Sequence, residues 1–119
     1  MRQGLLVFLS VLILCGLWLL LKPATQSDGP QQRLYRLSII DGQYQGPEKL
    51  IAYRGDQLRF EVLSNHDDAM HVHGYEKHLE LSAGQTAVLE FSAELGGRHA
   101  LELHGNELQL ATLEVYPRQ

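Results

Sequence analysis

The stretch Leu58-Arg59-Phe60-Glu61-Val62 decides the fold class, because its apolar and charged side chains alternate. In a strand, this period of two puts the apolar side chains on one face and the charged ones on the other. The same pattern, separated by turn residues, recurs at 34–40, 50–53, 70–75, 78–81, 87–91, 98–104 and 108–116. About eight short strands and no amphipathic helix predict an all-β sandwich or barrel with Greek-key connections, spanning residues 33–117.

An uncharged apolar run from Gly4 to Leu21 precedes this region. As a helix it would span roughly 27 Å, close to the thickness of a hydrocarbon core. It is longer than the apolar part of a secretory signal, about 7–15 residues, and residues 23–26 offer no clean small-x-small cleavage site. We therefore expect residues 1–24 to be an uncleaved transmembrane helix that binds the membrane, with a cleaved signal peptide as the alternative.

The flanks of the apolar run indicate its orientation only weakly, since Arg2 and Lys22 place one basic residue on each side. A short N-terminal tail before a globular domain favours export of that domain. We expect a single-pass protein of the bacterial inner membrane with its domain in the periplasm. The polar residues 25–32 form the expected linker between them.

Charge and motif content exclude several function classes. The chain has 10 Lys and Arg against 14 Asp and Glu, and no basic run, so no nucleic-acid partner is expected. The single cysteine, Cys15, lies in the apolar run and excludes an intramolecular disulfide, a Cys-rich zinc module and a CxxC pair. The sequence has no nucleophile elbow, Gly-rich phosphate loop or recognisable carboxylate pair, so we do not expect an enzyme.

The order of features from Gly55 to Val115 resembles the cupredoxins, a family that includes blue-copper proteins and the copper domain of cytochrome oxidase subunit II. The matching residues are Gly55-Asp56, Ser64-Asn65, Met70-His71-Val72-His73-Gly74-Tyr75, Leu81-Ser82-Ala83-Gly84, Leu89-Glu90-Phe91 and Gly96-Gly97. The pattern is similar to that of bacterial cupredoxin-like domains tethered to the membrane or fused to iron- and copper-handling proteins. This resemblance implies a Greek-key β-sandwich behind the N-terminal transmembrane helix.

The resemblance also implies a position for each blue-copper ligand, and most of these positions are not matched. His71 falls on the first His position, but Leu103 occupies the Cys position. The second His would fall near Asn106 or Glu107, and the axial Met within 108–110. A blue-copper centre needs a thiolate to tune the metal, so electron transfer of that type is not expected.

The six histidines, all between His66 and His104, suggest a different copper site. On a regular strand, His71 and His73 share one face with Cβ atoms roughly 6–7 Å apart, which lets two imidazoles converge on one ion. Proximity of His104 is implied by the resemblance, because the early and late ligand strands are neighbours in cupredoxins. We predict that His71, His73 and His104 bind copper for holding or delivery, since the Irving–Williams order peaks at Cu(II).

The alternative is a metal-free interaction module that presents a loop face to another envelope protein. In that case the histidines are hydrogen-bonded or pH-sensitive groups. We expect His99, which alternates with Leu101 and Leu103, to be a satisfied inward residue, and His66 and His78 to lie at the surface.

Overall fold

A computed structural model describes residues 1–23 and 29–118. Helix α1 (Arg2–Leu21) covers the apolar run, and none of its residues is buried. Among the described residues it is the one helix with the length and composition to cross a membrane, and a signal sequence near the N-terminus has the same properties. Residue 24 of the predicted anchor and residues 25–28 of the predicted linker lie outside the described residues.

The remaining described residues form nine strands in two facing sheets. They are β1 (Gln32–Ile40), β2 (Gln43–Gln45), β3 (Lys49–Tyr53), β4 (Gln57–Ser64), β5 (Asp68–Val72), β6 (Lys77–Leu81), β7 (Thr86–Ser92), β8 (Gly97–Leu103) and β9 (Gln109–Tyr116). One sheet has the order β2-β1-β4-β7 and the other the order β3-β9-β8-β5-β6. Consecutive strands such as β4 and β5 lie in different sheets, so the chain crosses between the two layers as a Greek-key sandwich requires.

The alternating stretch of β4 supplies the centre of the core, as the sequence predicts. Leu58, Phe60 and Val62 are buried between the sheets, and Phe60 stacks on Phe91 of β7 with ring centroids 5.6 Å apart. Full burial of such a side chain contributes about 1.5–3 kcal/mol, which makes this row a main source of stability. The face of β4 that carries Arg59 is exposed.

Two strands differ from the sequence prediction. Strand β2 was not predicted, because Gln43–Gln45 is too short and too polar to give an apolar period. Strand β5 begins at Asp68 and ends at Val72 instead of running from 70 to 75, since residues 73–76 form a turn. Gly74 has φ +83° and Glu76 has φ +52° there, and these left-handed conformations end the strand.

A buried carboxylate ties both ends of the domain to its middle, in what we call the Asp56 cluster. Asp56 accepts hydrogen bonds from Arg33 Nε (2.6 Å), from the backbone N–H groups of Gln31 and Tyr53 (2.9 Å each) and from Arg118. Burial by itself raises the pKa of Asp56, but the bonds from Arg33, Gln31 and Tyr53 outweigh burial and hold the pKa below its usual value.

Candidate metal centre

The hairpin of β5 and β6 places two histidines side by side. The strands are antiparallel, and their register pairs His71 directly with His78. Met70 and Val72, the neighbours of His71, are buried in the core, so the His71 side chain projects from the outer face of the five-stranded sheet. The two imidazole rings meet edge to face, with centroids 4.2 Å apart and an interplanar angle of 85°.

The end of β8 brings a third imidazole to this face. Leu103 is buried opposite Met70, so the next residue, His104, emerges on the outer side. The backbone N–H of His104 donates to the carbonyl oxygen of Ala69 (2.8 Å), which fixes the chain beside β5. The ring centroids of His104 and His71 are 5.3 Å apart. We call His71, His78 and His104 the histidine cluster.

Asp68 holds the chain where it turns away after His104. Its Oδ1 accepts hydrogen bonds from the backbone N–H groups of Ala69 (2.8 Å) and Gly105 (2.9 Å). A Cβ at Gly105 would stand 3.1 Å from Asp68 Oδ2, so the close approach favours glycine there. The carboxylate therefore positions the backbone next to a ring of the histidine cluster.

His71 carries an unexplained polar atom. In the described part of the chain, its Nε2 is the one buried side-chain nitrogen or oxygen without a hydrogen-bond partner. Leaving such a group unsatisfied costs about 1–3 kcal/mol, and native proteins hold few of them. An ion bound to the nitrogen lone pair would remove this cost.

The ring separations in the histidine cluster are close to those that a shared metal ion requires. Two imidazoles that bind one ion through nitrogens at about 2 Å place their ring centroids roughly 4.5–5 Å apart. The observed separations of 4.2 and 5.3 Å bracket that range. Over residues 1–23 and 29–118, no three His, Cys, Asp or Glu side chains are already arranged around a common metal position, so the rings would have to rotate to bind one.

The structure places His73 in a different environment from the one predicted. It lies in the turn after β5, and its Nε2 donates to Glu102 Oε2 at 2.9 Å. Two of the three predicted ligands, His71 and His104, are thus brought together, while His73 is held by a carboxylate. His78, predicted to lie at the surface, is half exposed but packs against His71.

The sequence pattern does not reveal the pairing of His78, because the alternation predicts one strand over 70–75. The available signal was Gly74, which favours a turn at 73–76. A hairpin with that turn at its centre pairs Val72 with Lys77 and therefore His71 with His78.

His99 is confirmed as an inward residue whose ring is hydrogen-bonded. It is buried, and its Nδ1 and Nε2 lie 3.1 and 3.2 Å from the carbonyl oxygens of His73 and Leu95. The ring packs against Tyr75, whose hydroxyl donates to the Leu95 carbonyl oxygen and whose pKa is raised by burial. A Cβ at Gly74 would stand 2.5 Å from His99 Nδ1, so Gly74 also provides room for this ring.

Acidic side chains surround the outer part of the cluster. A shallow depression is lined by polar groups that include His78, His104, Asp67, Asp68 and Glu80. Asp67 also accepts a hydrogen bond from the backbone N–H of Ala83 (2.8 Å), so the acidic pair has a role in the loop itself. The carboxylates give the depression a negative field that favours cations.

Comparison with solved structures identifies the architecture. A multicopper oxidase matches 80% of this chain and 46% of its own at 22% identity, with a TM-score of 0.59. A multi-copper oxidase from Pseudomonas thermotolerans matches 76% and 31% at 17% identity (TM-score 0.61). A copper-binding protein, solved by NMR in the apo form, matches 73% and 96% at 18% identity (TM-score 0.60).

The fold of this chain is cupredoxin-like. The resemblance seen in the sequence is confirmed at the level of the fold, which is what identities this low can show. The chain spans less than half the length of either oxidase but nearly the whole of the small copper-binding protein. No family model matches the chain, and no curated protein sequence matches it.

Proposed function

We propose that the cupredoxin-like domain binds copper through imidazole nitrogens and holds or delivers it, as a binding domain and not as an enzyme. The observation that carries the proposal is the buried, unpartnered Nε2 of His71, which lies beside the rings of His78 and His104. The structural neighbours support the choice of metal, because their names describe multicopper oxidases and a copper-binding protein.

Ligand chemistry supports copper and argues against a blue-copper role. Imidazole nitrogen suits Cu(II), which stands at the top of the Irving–Williams order. A blue centre requires a thiolate, yet Leu103 occupies that position in the core and the one cysteine, Cys15, lies in α1. The side chains would hold copper in a nitrogen-rich, partly exposed site from which it can be transferred.

A calorimetric titration tests this proposal. We expect the full chain, purified in detergent, to bind one Cu(II) without an intense blue absorption band. His71→Ala should weaken binding by more than about tenfold, since loss of even an outer-shell partner costs roughly 10- to 100-fold. His66→Ala is the matched control, because His66 is exposed in a loop. Absence of saturable binding, or equal binding by His71→Ala, would contradict the proposal.

The metal-free interaction module remains the second candidate function, favoured by one observation. Two of the outer histidines are satisfied within the protein, His73 by Glu102 and His78 by Glu80 at 2.9 and 3.1 Å. Without a metal, the best contact available to His71 Nε2 is an N–H···π interaction with a neighbouring ring, and such interactions are weak. A domain that binds no copper and co-purifies with an envelope protein would establish it.

We also propose that α1 stays attached as a single-pass anchor in a bacterial inner membrane, with the domain in the periplasm. The uncharged run of the helix and the absence of a clean cleavage site support retention. Mass spectrometry of the protein from isolated membranes should give the uncleaved N-terminus. A C-terminal alkaline phosphatase fusion should be active. A shortened, soluble product or an inactive fusion would contradict this placement.

A further inference from the structure

We infer that His78, and not His73, completes a three-imidazole site with His71 and His104. This inference rests on the proposed copper function and deepens it by assigning the ligands. The sequence alone favoured His73 because its spacing from His71 fits a single strand. The register of the β5–β6 hairpin gives the third position to His78, seven residues after His71.

The contact between the two rings is the first argument. His71 and His78 form a direct cross-strand pair, and such pairs hold their Cβ atoms about 4.5–5.5 Å apart. Their ring centroids are 4.2 Å apart. His104, which directly follows β8, contacts the His71 ring from the side opposite His78, with ring centroids 5.3 Å apart. His71 is therefore the central ligand, contacted by one imidazole from each neighbouring segment of the sheet.

The environment of His73 is the second argument. Its ring nitrogen bonds to Glu102, its backbone N–H donates to the carbonyl oxygen of Ala100 (2.9 Å), and its own carbonyl oxygen faces His99 Nδ1. These three contacts fix the residue in the turn. The bond to Glu102 holds the His73 ring beside β8, whereas the His78 ring already contacts the ring of His71.

The bond between His78 and Glu80 is the third argument. His78 Nε2 donates to Glu80 Oε1 at 3.1 Å. A proton held on Nε2 by a carboxylate leaves the lone pair on Nδ1, the arrangement that usually orients a metal-binding histidine. Glu80 thus acts as a positioning residue that sets the tautomer of a ligand, and Nδ1 is the expected donor atom of His78.

The position of His78 gives the site its access to solvent. Strand β6 is an edge of the five-stranded sheet, and about 45% of the His78 side chain is exposed. Copper held there would be reached from the acidic depression that borders the ring. An edge ligand of this kind suits transfer of the ion to a partner, while the buried nitrogen of His71 retains it.

Electron paramagnetic resonance of the Cu(II)-loaded full chain, with competition titrations, distinguishes the two ligand sets. We expect wild type to show three coupled nitrogens. His78→Ala should show two and bind more than about tenfold more weakly. His73→Ala, the matched control, should keep three nitrogens and bind within about twofold of wild type. His78→Gln, which retains size, should reproduce the loss and exclude a folding defect.

Each other outcome is decisive. If His73→Ala removes a nitrogen or both variants lose affinity equally, the ligand assignment is overturned while copper binding stands. If wild type binds no copper, the proposed function fails and the assignment fails with it. Glu80→Gln should weaken binding without reducing the nitrogen count, and a lost nitrogen in that variant would overturn the positioning role.

Discussion

The Asp56 cluster and the histidine cluster each contain a buried polar group, but only in the Asp56 cluster does that group have hydrogen-bond partners within the described part of the chain. Asp56 is completely buried, and its oxygens accept bonds from two guanidinium groups and two backbone N–H groups. His71 Nε2 is also buried, yet it has no hydrogen-bond partner among the described residues. The first arrangement is a closed network that stabilises the fold. The second is not explained by folding, and we propose that it serves to bind a ligand.

The largest expected effect comes from opening the closed network. Asp56→Ala should lower the free energy of unfolding by about 3–5 kcal/mol, because it leaves buried cations and N–H groups without their acceptor. Urea unfolding measures the change. Glu61→Gln is the control, since it removes the ion pairs with the exposed Arg36 and Arg59 and should cost less than about 1 kcal/mol. If the two variants lower the free energy of unfolding equally, the Asp56 cluster does not stabilise the fold more than a surface ion pair does.

Lowering the pH should weaken the contribution of Asp56 to stability. The pKa of Asp56 is lower in the folded protein than its unfolded value of about 3.9, so its ionisation stabilises the fold above that value. This stability is lost as the pH falls through the folded pKa. The excess stability of wild type over Asp56→Asn should be constant above about pH 5 and should shrink towards pH 2. A difference that does not vary with pH would contradict this account.

Asp68 should have an intermediate effect, because its carboxylate serves the backbone beside His104. Asp68→Ala should cost about 1–2 kcal/mol through loss of its bonds to Ala69 and Gly105, and should also weaken copper binding several-fold. Asp68→Asn keeps an acceptor oxygen and should restore most of both losses. Unfolding and copper titration of the two variants provide the check, and failure of Asn to rescue would argue against the positioning role.

The smallest expected change in stability is at His71. His71→Phe should leave the metal-free protein as stable as wild type or more stable by about 1 kcal/mol, because it removes an unsatisfied nitrogen and keeps the ring. The same variant should bind no copper at the histidine cluster. A large loss of stability in the metal-free variant would show that His71 has a structural role.

The sequence predicts the sandwich well because burial imposes a simple period. Leu58, Phe60 and Val62 lie in the core where the alternation puts them, and His99 is inward as its apolar neighbours indicate. The site is harder to predict because it depends on register. One glycine, Gly74, ends β5 early, moves His73 into a turn and pairs His71 with His78. A difference of a few residues in strand length therefore changes which imidazoles meet.

The local sequence pattern also does not predict that β8 lies beside β5. His104 and His71 are far apart in sequence, and only the cupredoxin resemblance implied that their strands are neighbours. The Asp56 cluster is similar, because the Gly55-Asp56 pair indicates a turn but does not show that Arg33 and Arg118 converge on it. Contacts between distant segments are set by the topology of both sheets.

The most direct measurement is anomalous diffraction at the copper edge from crystals of the copper-loaded protein. We predict one peak at a bonding distance of about 2 Å from His71 Nε2, shared with His78 and His104. The absence of density at this nitrogen, or a hydrogen bond that satisfies it instead, would contradict the account.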